Sequence, residues 1–317
     1  MQQKALFMNI RLLKTFAMIK KTLFFSKPAH LHQQYKQLII ELKQEGTRHQ
    51  VPIEDIGIVV LENQQITITQ SVIASLLENN ACVLWCDEKH MPSGLLLSMA
   101  HNHTYTEKVR FQLEASEPLK KNLWKQTVTA KIRNQASLLR QLGLEYKPLQ
   151  RWSTEVSSGD KENIEAKAAS FYWEKIFTYL NTRTTRHRHG PPPNNLLNYG
   201  YAILRAVIAR NLVASGCLLM VGIYHRNKYN PYCLADDIME PYRPFIDRLI
   251  IDFVSRLGQI PETLTPAHKK ELLSIPAIDV IIDSQKSPLM VGSQRTTSSL
   301  VACFKGESKK ILYPNLE

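Results

Sequence analysis

The most unusual feature of this 317-residue chain is a long stretch without negative charge. No Asp or Glu occurs in the 61 residues from Lys175 to Ala235, whereas the same stretch contains eight Lys or Arg. Three acids, Asp236, Asp237 and Glu240, then follow at once. A surface without carboxylates suits a polyanionic partner, so the acids at its end need an explanation of their own.

The chain also has few cysteines and no long apolar run. No apolar run reaches about 18 residues free of charge, which argues against a membrane span. The five cysteines are an odd number in mostly apolar contexts, which favours reduced thiols and a cytoplasmic protein. Cys82 and Cys86 have no second cysteine pair, so their spacing does not predict a structural zinc site.

Positive charge is in excess and is unevenly distributed. Forty Lys and Arg against 28 Asp and Glu give a net charge of +12. Residues 1–100 contribute +2 of it, and residues 101–317 contribute +10. The length is sufficient for two domains, and nucleic acid is the expected partner of the second. A soluble protein that is basic for another reason is the alternative.

Two kinds of periodicity divide the chain near residue 100. Residues 18–100 contain short β-branched or aromatic runs between polar breaks, with a short helix predicted at 70–77. Residues 101–317 have helical spacing. We therefore predict an α+β protein of two domains, a small N-terminal β-strand-rich domain followed by a larger all-α domain. Residues 1–17 are interpreted as a disordered leader or a misassigned start, with an extra amphipathic helix as the alternative.

Two predicted helices in the second domain matter for function. The first has an apolar face from Val128 to Leu142, with Lys131, Arg133 and Arg140 mostly off that face, and Gly143 would end it. The second would run from Asp160, its N-cap, to about Leu180.

Glu165 is the first candidate for chemistry. It lies in the first turn of the helix that follows Asp160, and its i+3 and i+4 neighbours are Ala168 and Ala169. Small neighbours leave room for a group to approach the carboxylate. An exposed glutamate that the helix dipole favours at this end is the alternative.

His225 and the acids after it form the second group of candidates. His225 follows an apolar run and begins a polar loop, where it can serve as a ligand or base, with an ordinary loop histidine as the alternative. Asp237 and Glu240 share a helical face, and Pro241 and Pro244 place Glu240 at a break. An acidic helix N-terminus is the alternative here.

The carboxylates and the imidazole together predict a site for Mg²⁺ or Mn²⁺. In a basic protein such a site suits cleavage or transfer of a phosphodiester, because the metal stabilises charge on the phosphoryl oxygens. Basic side chains would hold the DNA backbone. On this hypothesis the acids hold a cation and the surrounding bases hold a polyanion.

Four sequence motifs resemble one protein family. The segments "GD-x-x-N-x-EA-x-AA", "LNYGYAILRA", "GI-x-H-x-x-N-x-x-N" and "LADDIMEPYRP-x-x-D" are similar, in order and spacing, to the universal CRISPR-associated adaptation endonuclease and integrase family. The resemblance extends from residue 18 to the end, and the second and fourth motifs look most like members from type II systems. Residues 1–17 are the departure from the family pattern.

The resemblance implies a site and a reaction. The family's metal-binding Glu, His and acid correspond to Glu165, His225 and Glu240, which would be both the catalytic residues and the ligands of Mg²⁺ or Mn²⁺. Asp237 would orient a ligand or be an auxiliary ligand. The implied activity is that of a metal-dependent DNA endonuclease and integrase, in which the 3′-OH ends of a short duplex attack phosphodiesters at the edge of a CRISPR repeat.

The resemblance also implies partners. These are double-stranded DNA (spacer precursor and repeat), a second copy of the chain joined through the N-terminal domain, and a small second adaptation protein. A type II effector nuclease is a further candidate. The cations predicted to contact DNA are Arg183, Arg186, Arg188, Arg205, Arg226, Lys228 and Arg243. For Arg205 the alternative is a pair with the carboxylates, because an arginine on an apolar helix needs a partner.

Three other functions stay open from the residues alone. A basic structural DNA-binding protein would use its acids as helix caps and would bind without a metal. A metal-dependent nuclease without integration activity would share the site but release free ends. A protein-interaction scaffold would use the charge for solubility only.

Overall fold

The computed structural model describes residues 20–42, 44–98, 102–187 and 189–317. The chain separates into two compact units, Met1–His101 and Asn102–Glu317. The segment interpreted as a leader, 1–17, lies outside the described residues. Within the described part of the chain, no helix is long and apolar enough to cross a membrane.

The N-terminal unit contains eight described strands and one helix. In chain order these are β1 (Lys21–Phe25), β2 (His30–Gln34), β3 (Gln37–Leu42), β4 (Thr47–Pro52), β5 (Ile56–Leu61), β6 (Thr67–Ile68), α1 (Gln70–Glu78), β7 (Cys82–Cys86) and β8 (Pro92–Leu96). One sheet has the order β1-β5-β7-β8, with β8 antiparallel to its neighbour and the other pairs parallel. The other has the order β4-β3-β2-β6, antiparallel except for the last pair.

Burial explains why these segments form strands. β5 is buried at every residue, as expected for a parallel strand that is covered on both faces. On β3, Leu38, Ile40 and Leu42 belong to the hydrophobic core, whereas Glu41 lies on the opposite face. The predicted strand-rich N-terminal part is confirmed, and α1 lies where a short helix was predicted.

The C-terminal unit is helical, as predicted. Its helices are α2 (Tyr105–Glu114), α3 (Glu117–Gln141), α4 (Lys147–Glu155), α5 (Ile164–Tyr179), α6 (Asn194–Ala214), α7 (Cys233–Met239), α8 (Arg243–Leu257), α9 (Pro266–Leu272) and α10 (Leu289–Phe304). Most residues of α6 are buried, which identifies it as the central helix. Gly200 lets α8 approach it closely, because a Cβ there would lie 2.8 Å from Ile246 Cγ2.

The predicted end of α3 at Gly143 was confirmed, whereas the all-α prediction for this unit was incomplete. Gly143 follows the end of α3 with a φ of +70°, the left-handed conformation expected of a glycine at that position. The all-α prediction omitted a two-stranded antiparallel sheet before α10, β9 (Asp279–Ile282) and β10 (Gln285–Pro288). Its turn residues, Asp283 and Ser284, both have positive φ. Asp-Ser is a weaker hairpin signal than Asn-Gly, so the pattern did not indicate the turn.

Candidate active site

Glu165 is fixed at the start of α5 by the buried carboxylate of Asp160. Asp160 Oδ1 accepts a hydrogen bond from the amide of Ile164 at 2.9 Å, and Oδ2 accepts one from the amide of Glu165 at 3.0 Å. The Asp160 carboxylate accepts from amides of the first turn, as predicted, but Asp160 is not the N-cap residue, because Asn163 holds that position and α5 begins at Ile164. The Glu165 side chain is 19% exposed, so its carboxylate reaches solvent from a fixed position.

Glu240 lies at the break between α7 and α8, as the prolines after it predicted. A single 3₁₀ turn, Glu240–Tyr242, separates the two helices. Asn134 on α3 holds this turn in place, since its Nδ2 donates to the carbonyl oxygen of Pro241 at 2.7 Å. The buried carbonyl at the break therefore has a donor, and the Glu240 side chain has a defined direction.

Lys131 on α3 joins the two glutamates. Its Nζ lies 2.7 Å from Glu165 Oε1 and 2.6 Å from Glu240 Oε2. Arg243 contacts the other oxygen of Glu240 at 2.9 Å. Burial raises the pKa of Glu240, but Arg243 and Lys131 outweigh it and the pKa is lowered on balance. Burial lowers the pKa of Lys131, but Glu240 and Glu165 outweigh it, so the pKa of Lys131 is raised on balance.

The prediction that Lys131 lies off the buried face was wrong. Lys131 is 9% exposed, whereas Arg133 and Arg140 are exposed as predicted. Lys131 lies seven residues after Trp124 and three after Val128, which places it on the apolar stripe itself. A lysine on such a stripe needs an acidic partner, and this signal was available in the sequence.

His225 is oriented by Asp237. The Nδ1 of His225 lies 2.5 Å from Asp237 Oδ1. This hydrogen bond raises the pKa of His225 against the effect of burial, and Glu240 and Glu165 add to the increase. A histidine whose Nδ1 is bonded to a carboxylate presents Nε2 for another partner, which is a common arrangement at protein metal sites.

The carboxylate of Asp237 is fully occupied by hydrogen bonds from the loop that contains His225. Besides the imidazole, it accepts hydrogen bonds from the amides of Ile223 at 2.7 Å, Tyr224 at 3.0 Å and His225 at 3.1 Å. These four donors use the acceptor positions of a carboxylate. The structure therefore favours the orienting role over the auxiliary-ligand role, which stays a prediction.

Two neighbours fix the histidine loop. The ring of Tyr224 stacks on the buried indole of Trp124 at 4.1 Å, and His225 meets the same indole edge-on at 5.7 Å. Gly222 leaves room for the loop, because a Cβ there would lie 2.5 Å from the carbonyl oxygen of His225 and 2.7 Å from Asp237 Oδ2. Since Trp124 and Lys131 both belong to α3, this helix supports the histidine and the glutamates together.

The structure brings Glu165, His225 and Glu240 into one neighbourhood, and their donor set suits Mg²⁺ or Mn²⁺. Among the described residues, their ligand atoms do not all lie within 4.8 Å of one another, and the Lys131 ammonium lies between the carboxylates. Glu240 Oε2 is buried and lies 2.6 Å from Lys131 Nζ, and the charges of Glu240 and Glu165 both act on His225. Two carboxylates that already share one cation, with an imidazole nearby, fit a divalent cation.

The cations predicted to contact DNA fall into two groups. Arg183, Arg226 and Lys228 are exposed, with Arg226 also paired on the surface to Glu117 at 2.7 Å. Arg188 lies outside the described residues.

The other three cations bond within the protein. Arg186 donates to the side-chain oxygens of Asn194 and Asn198 at 2.9 and 2.8 Å. Arg205 Nε lies 2.6 Å from Asp236 Oδ1, which matches the alternative of a pair with an acid. Arg243 holds Glu240, as described above.

Asp247, the last residue of the fourth motif, is a buried carboxylate. The hydroxyls of Tyr172 and Tyr201 donate to its two oxygens at 2.7 and 2.5 Å. Burial raises the pKa of Asp247 to about 6, although these hydrogen bonds and the charges of Arg186 and Arg243 oppose the increase. Because Arg243 also lies 4.7 Å from the ring centre of Tyr201, this cluster supports the arginine that holds Glu240.

Fold and site together define a two-unit α+β protein whose helical unit places two glutamates and a histidine around one buried cation. Residues 23–282 match the family model described as CRISPR associated protein Cas1. The chain belongs to the Cas1 family, and the family predicted from the four motifs is confirmed.

Relatives and solved structures agree with this assignment. The CRISPR-associated endonuclease Cas1 of Neisseria meningitidis is 36% identical over 294 residues, which are 92% of this chain and 94% of the relative. A casposase bound to integration product has a TM-score of 0.77 at 16% identity, over 93% of this chain and 92% of that chain. A Cas1 protein from Thermotoga maritima has a TM-score of 0.66 at 15% identity, over 90% and 94%. At such identities the two structures establish the fold.

Proposed function

We propose that this chain is a metal-dependent DNA endonuclease and integrase that joins the 3′-OH ends of a short duplex to a CRISPR repeat by transesterification. The observation that carries the proposal is the placement of Glu165 and Glu240 on either side of one buried cation, Lys131. His225 is close enough that both carboxylates raise its pKa. The 36% identity to an endonuclease supports the nuclease activity. The fold shared with a casposase bound to integration product is compatible with the joining reaction.

Glu165, His225 and Glu240 would hold the Mg²⁺ or Mn²⁺. When bound, the metal supplies Lewis-acid stabilisation of charge on the phosphoryl oxygens. Asp237 keeps the histidine ring in one orientation, and Arg243 does the same for Glu240. Lys131 compensates the two carboxylates, so an approaching phosphate does not meet uncompensated negative charge.

The proposed substrates are the spacer precursor and the CRISPR repeat, both double-stranded DNA. The exposed Arg183, Arg226 and Lys228 would contact the phosphate backbone. A chain of a Cas6-RT-Cas1–Cas2 complex has a TM-score of 0.74 at 22% identity, over 96% of this chain and 37% of that chain. We therefore include a small second adaptation protein of the Cas2 kind in the proposed assembly, together with the homodimer that the family resemblance implies.

Strand transfer tests this function. A labelled short duplex with free 3′-OH ends is incubated with a plasmid that carries a repeat array, the Cas2-type partner and Mn²⁺ or Mg²⁺. Glu165→Ala and EDTA are the inactivating arms, and Glu174→Ala, an exposed glutamate on the same helix, is the matched control.

Joined product that is lost with Glu165→Ala and EDTA, but kept with Glu174→Ala, is the expected result. Cleavage without joining would overturn the integrase part and leave a metal-dependent nuclease. Tight DNA binding without any product, and without a need for metal, would instead favour a structural DNA-binding protein.

A further inference from the structure

The N-terminal unit carries a second group of metal-ligating side chains, separate in the chain from the site described above. His30 and His32 on β2 and Glu41 on β3 each offer one ligand atom, and these three atoms all lie within 4.8 Å of one another. Within the described part of the chain, they are the only three His, Cys, Asp or Glu side chains with that property.

The strand register brings the three side chains together. His30 and His32 are two residues apart on β2 and therefore point to the same face of the sheet. His30 is directly opposite Glu41 in the antiparallel pair of β2 and β3. The two imidazole rings are nearly parallel, with centres 5.3 Å apart. Leu31 and Ile40 point to the other face, into the core, so the three ligands lie on the face of the sheet opposite that core.

The first histidine has a partner that sets its orientation. Thr67 on β6 pairs with His30 in the parallel register, and its Oγ1 lies 2.7 Å from His30 Nδ1. When the hydroxyl accepts from the Nδ1–H, the lone pair of the ring is on Nε2. Fixing the tautomer of a ligand through its other nitrogen is what such outer partners do at metal sites.

The distances need only a small adjustment. His32 Nε2 lies 3.9 Å from Glu41 Oε1. In a tetrahedral zinc site with bonds of about 2.0–2.1 Å, neighbouring ligand atoms are about 3.3 Å apart. Arg48 on β4 is paired opposite Glu41 but does not fill the metal position, because its guanidinium donates to Gln34 at 2.5 Å instead.

We propose that His30, His32 and Glu41 bind one Zn²⁺ ion, with water in the remaining position. Two imidazoles and one carboxylate suit zinc, whereas Mg²⁺ prefers oxygen ligands. The ion would join β2 to β3 and stabilise this sheet. His32 Nδ1 is buried without a hydrogen-bond partner among the described residues. When Nε2 of this ring binds the metal, the proton is on Nδ1, and the unsatisfied N–H should weaken zinc binding by about tenfold.

Co²⁺ and Zn²⁺ titrations of the untagged full-length protein test the site. His225→Ala removes the imidazole of the active site, so the metal that this variant still binds is distinguished from metal bound at the active site. Glu41→Gln keeps the shape of the side chain, His30→Ala removes a ligand, and His103→Ala, an exposed histidine of the helical unit, is the control. Circular dichroism in EDTA verifies that each variant is folded.

His225→Ala should show a visible Co²⁺ absorption band that one equivalent of Zn²⁺ displaces, wild type and His103→Ala should show at least this band, and zinc should raise the Tm of all three. Combining His30→Ala or Glu41→Gln with His225→Ala should abolish the band and the Tm increase. The proposal is overturned if these combined variants bind zinc as His225→Ala does, or if His225→Ala alone abolishes binding.

Discussion

Lys131 Nζ and Glu240 Oε2 lie 2.6 Å apart, with 11% and 5% of the two side chains exposed. A buried ion pair of this kind adds little net stability, because desolvation of the ions offsets their attraction, but the loss of one partner is costly. Lys131 serves two acids, so its loss would leave Glu165 and Glu240 without the cation between them. The lysine therefore allows the folded chain to hold two carboxylates close together in the absence of metal.

Replacing Lys131 by methionine should make stability depend on metal. We expect Lys131→Met to lower the free energy of unfolding by about 3–5 kcal/mol in EDTA. Mn²⁺ should recover part of this loss, since a divalent cation would replace the missing ammonium. The increase in the free energy of unfolding on adding Mn²⁺ should be larger for Lys131→Met than for wild type. Urea unfolding with and without Mn²⁺ measures both effects.

Arg133→Met is the matched control for this measurement. Arg133 is exposed on the same helix, and its replacement should change the free energy of unfolding by less than about 0.5 kcal/mol. If Mn²⁺ stabilises Lys131→Met no more than it stabilises wild type, Glu165 and Glu240 do not share a metal.

The overall fold and the ends of the key helices could be predicted from local patterns. Alternation and helical spacing gave the two kinds of domain, and Pro241 placed Glu240 at a break that the structure contains. These predictions succeed because strand alternation, helix periodicity and the missing amide of proline act within a few residues.

The partners within the site could not be predicted in the same way. Lys131 and Glu165 are 34 residues apart, and Asn134 and Pro241 are 107 apart, so the contacts arise only when α3 packs against α5 and the α7–α8 break. Charge alone also cannot distinguish a free arginine from a paired one. Arg186 lies between Arg183 and Arg188 in a basic segment and yet bonds to two asparagines.

Adding one methyl group at Gly222 should disturb the histidine. Gly222→Ala would place a Cβ 2.5 Å from the carbonyl oxygen of His225 and 2.7 Å from Asp237 Oδ2, so the Asp237–His225 hydrogen bond must move. Because that bond raises the pKa of His225, the pKa should fall, which NMR titration in EDTA measures. Strand transfer should fall by about 10–100-fold, the usual effect of losing such an orienting partner.

Gly94→Ala is a suitable comparison for this substitution. A Cβ at Gly94 would meet only Trp85 Cβ at 3.6 Å, an ordinary contact, so strand transfer should be unchanged. A His225 pKa in Gly222→Ala equal to that of wild type would show that the loop absorbs the methyl group without moving Asp237.

Asp247 should make stability depend on pH in an unusual direction. Its folded pKa of about 6 is above the ordinary value of 3.8, so the folded state binds the proton more tightly than the unfolded state. This stability is present below about pH 4 and is lost as pH rises through about 6. A difference of that size corresponds to about 3 kcal/mol.

Asp247→Asn should remove this dependence. The carboxamide is neutral at every pH, and the hydroxyls of Tyr172 and Tyr201 can donate to it or accept from it. Subtracting the variant's free energy of unfolding from that of wild type cancels the other carboxylates. The difference should fall by about 3 kcal/mol between pH 4 and pH 7, and a difference that does not change with pH would contradict the raised pKa.

The salt dependence of DNA binding should distinguish the exposed cations from those that are paired within the protein. Removing one cation that binds a phosphate lowers the slope of log affinity against log salt concentration by about 0.9 for duplex DNA. Arg183→Ala and Lys228→Ala should each lower the slope by about this amount with no change in Tm, because both side chains are exposed. Fluorescence anisotropy of a labelled duplex at several NaCl concentrations measures the slope.

Arg186→Ala should behave differently, although Arg186 lies only three residues after Arg183. The substitution removes two hydrogen bonds to Asn194 and Asn198 and the guanidinium that lies 5.3 Å from the ring centre of Tyr201, so we expect a lower Tm. The salt slope should stay close to that of wild type, since both terminal nitrogens of Arg186 already donate to acceptors within the protein. A reduced slope with an unchanged Tm would assign Arg186 to the DNA surface instead, and its bonds to the asparagines would then be ones that DNA replaces.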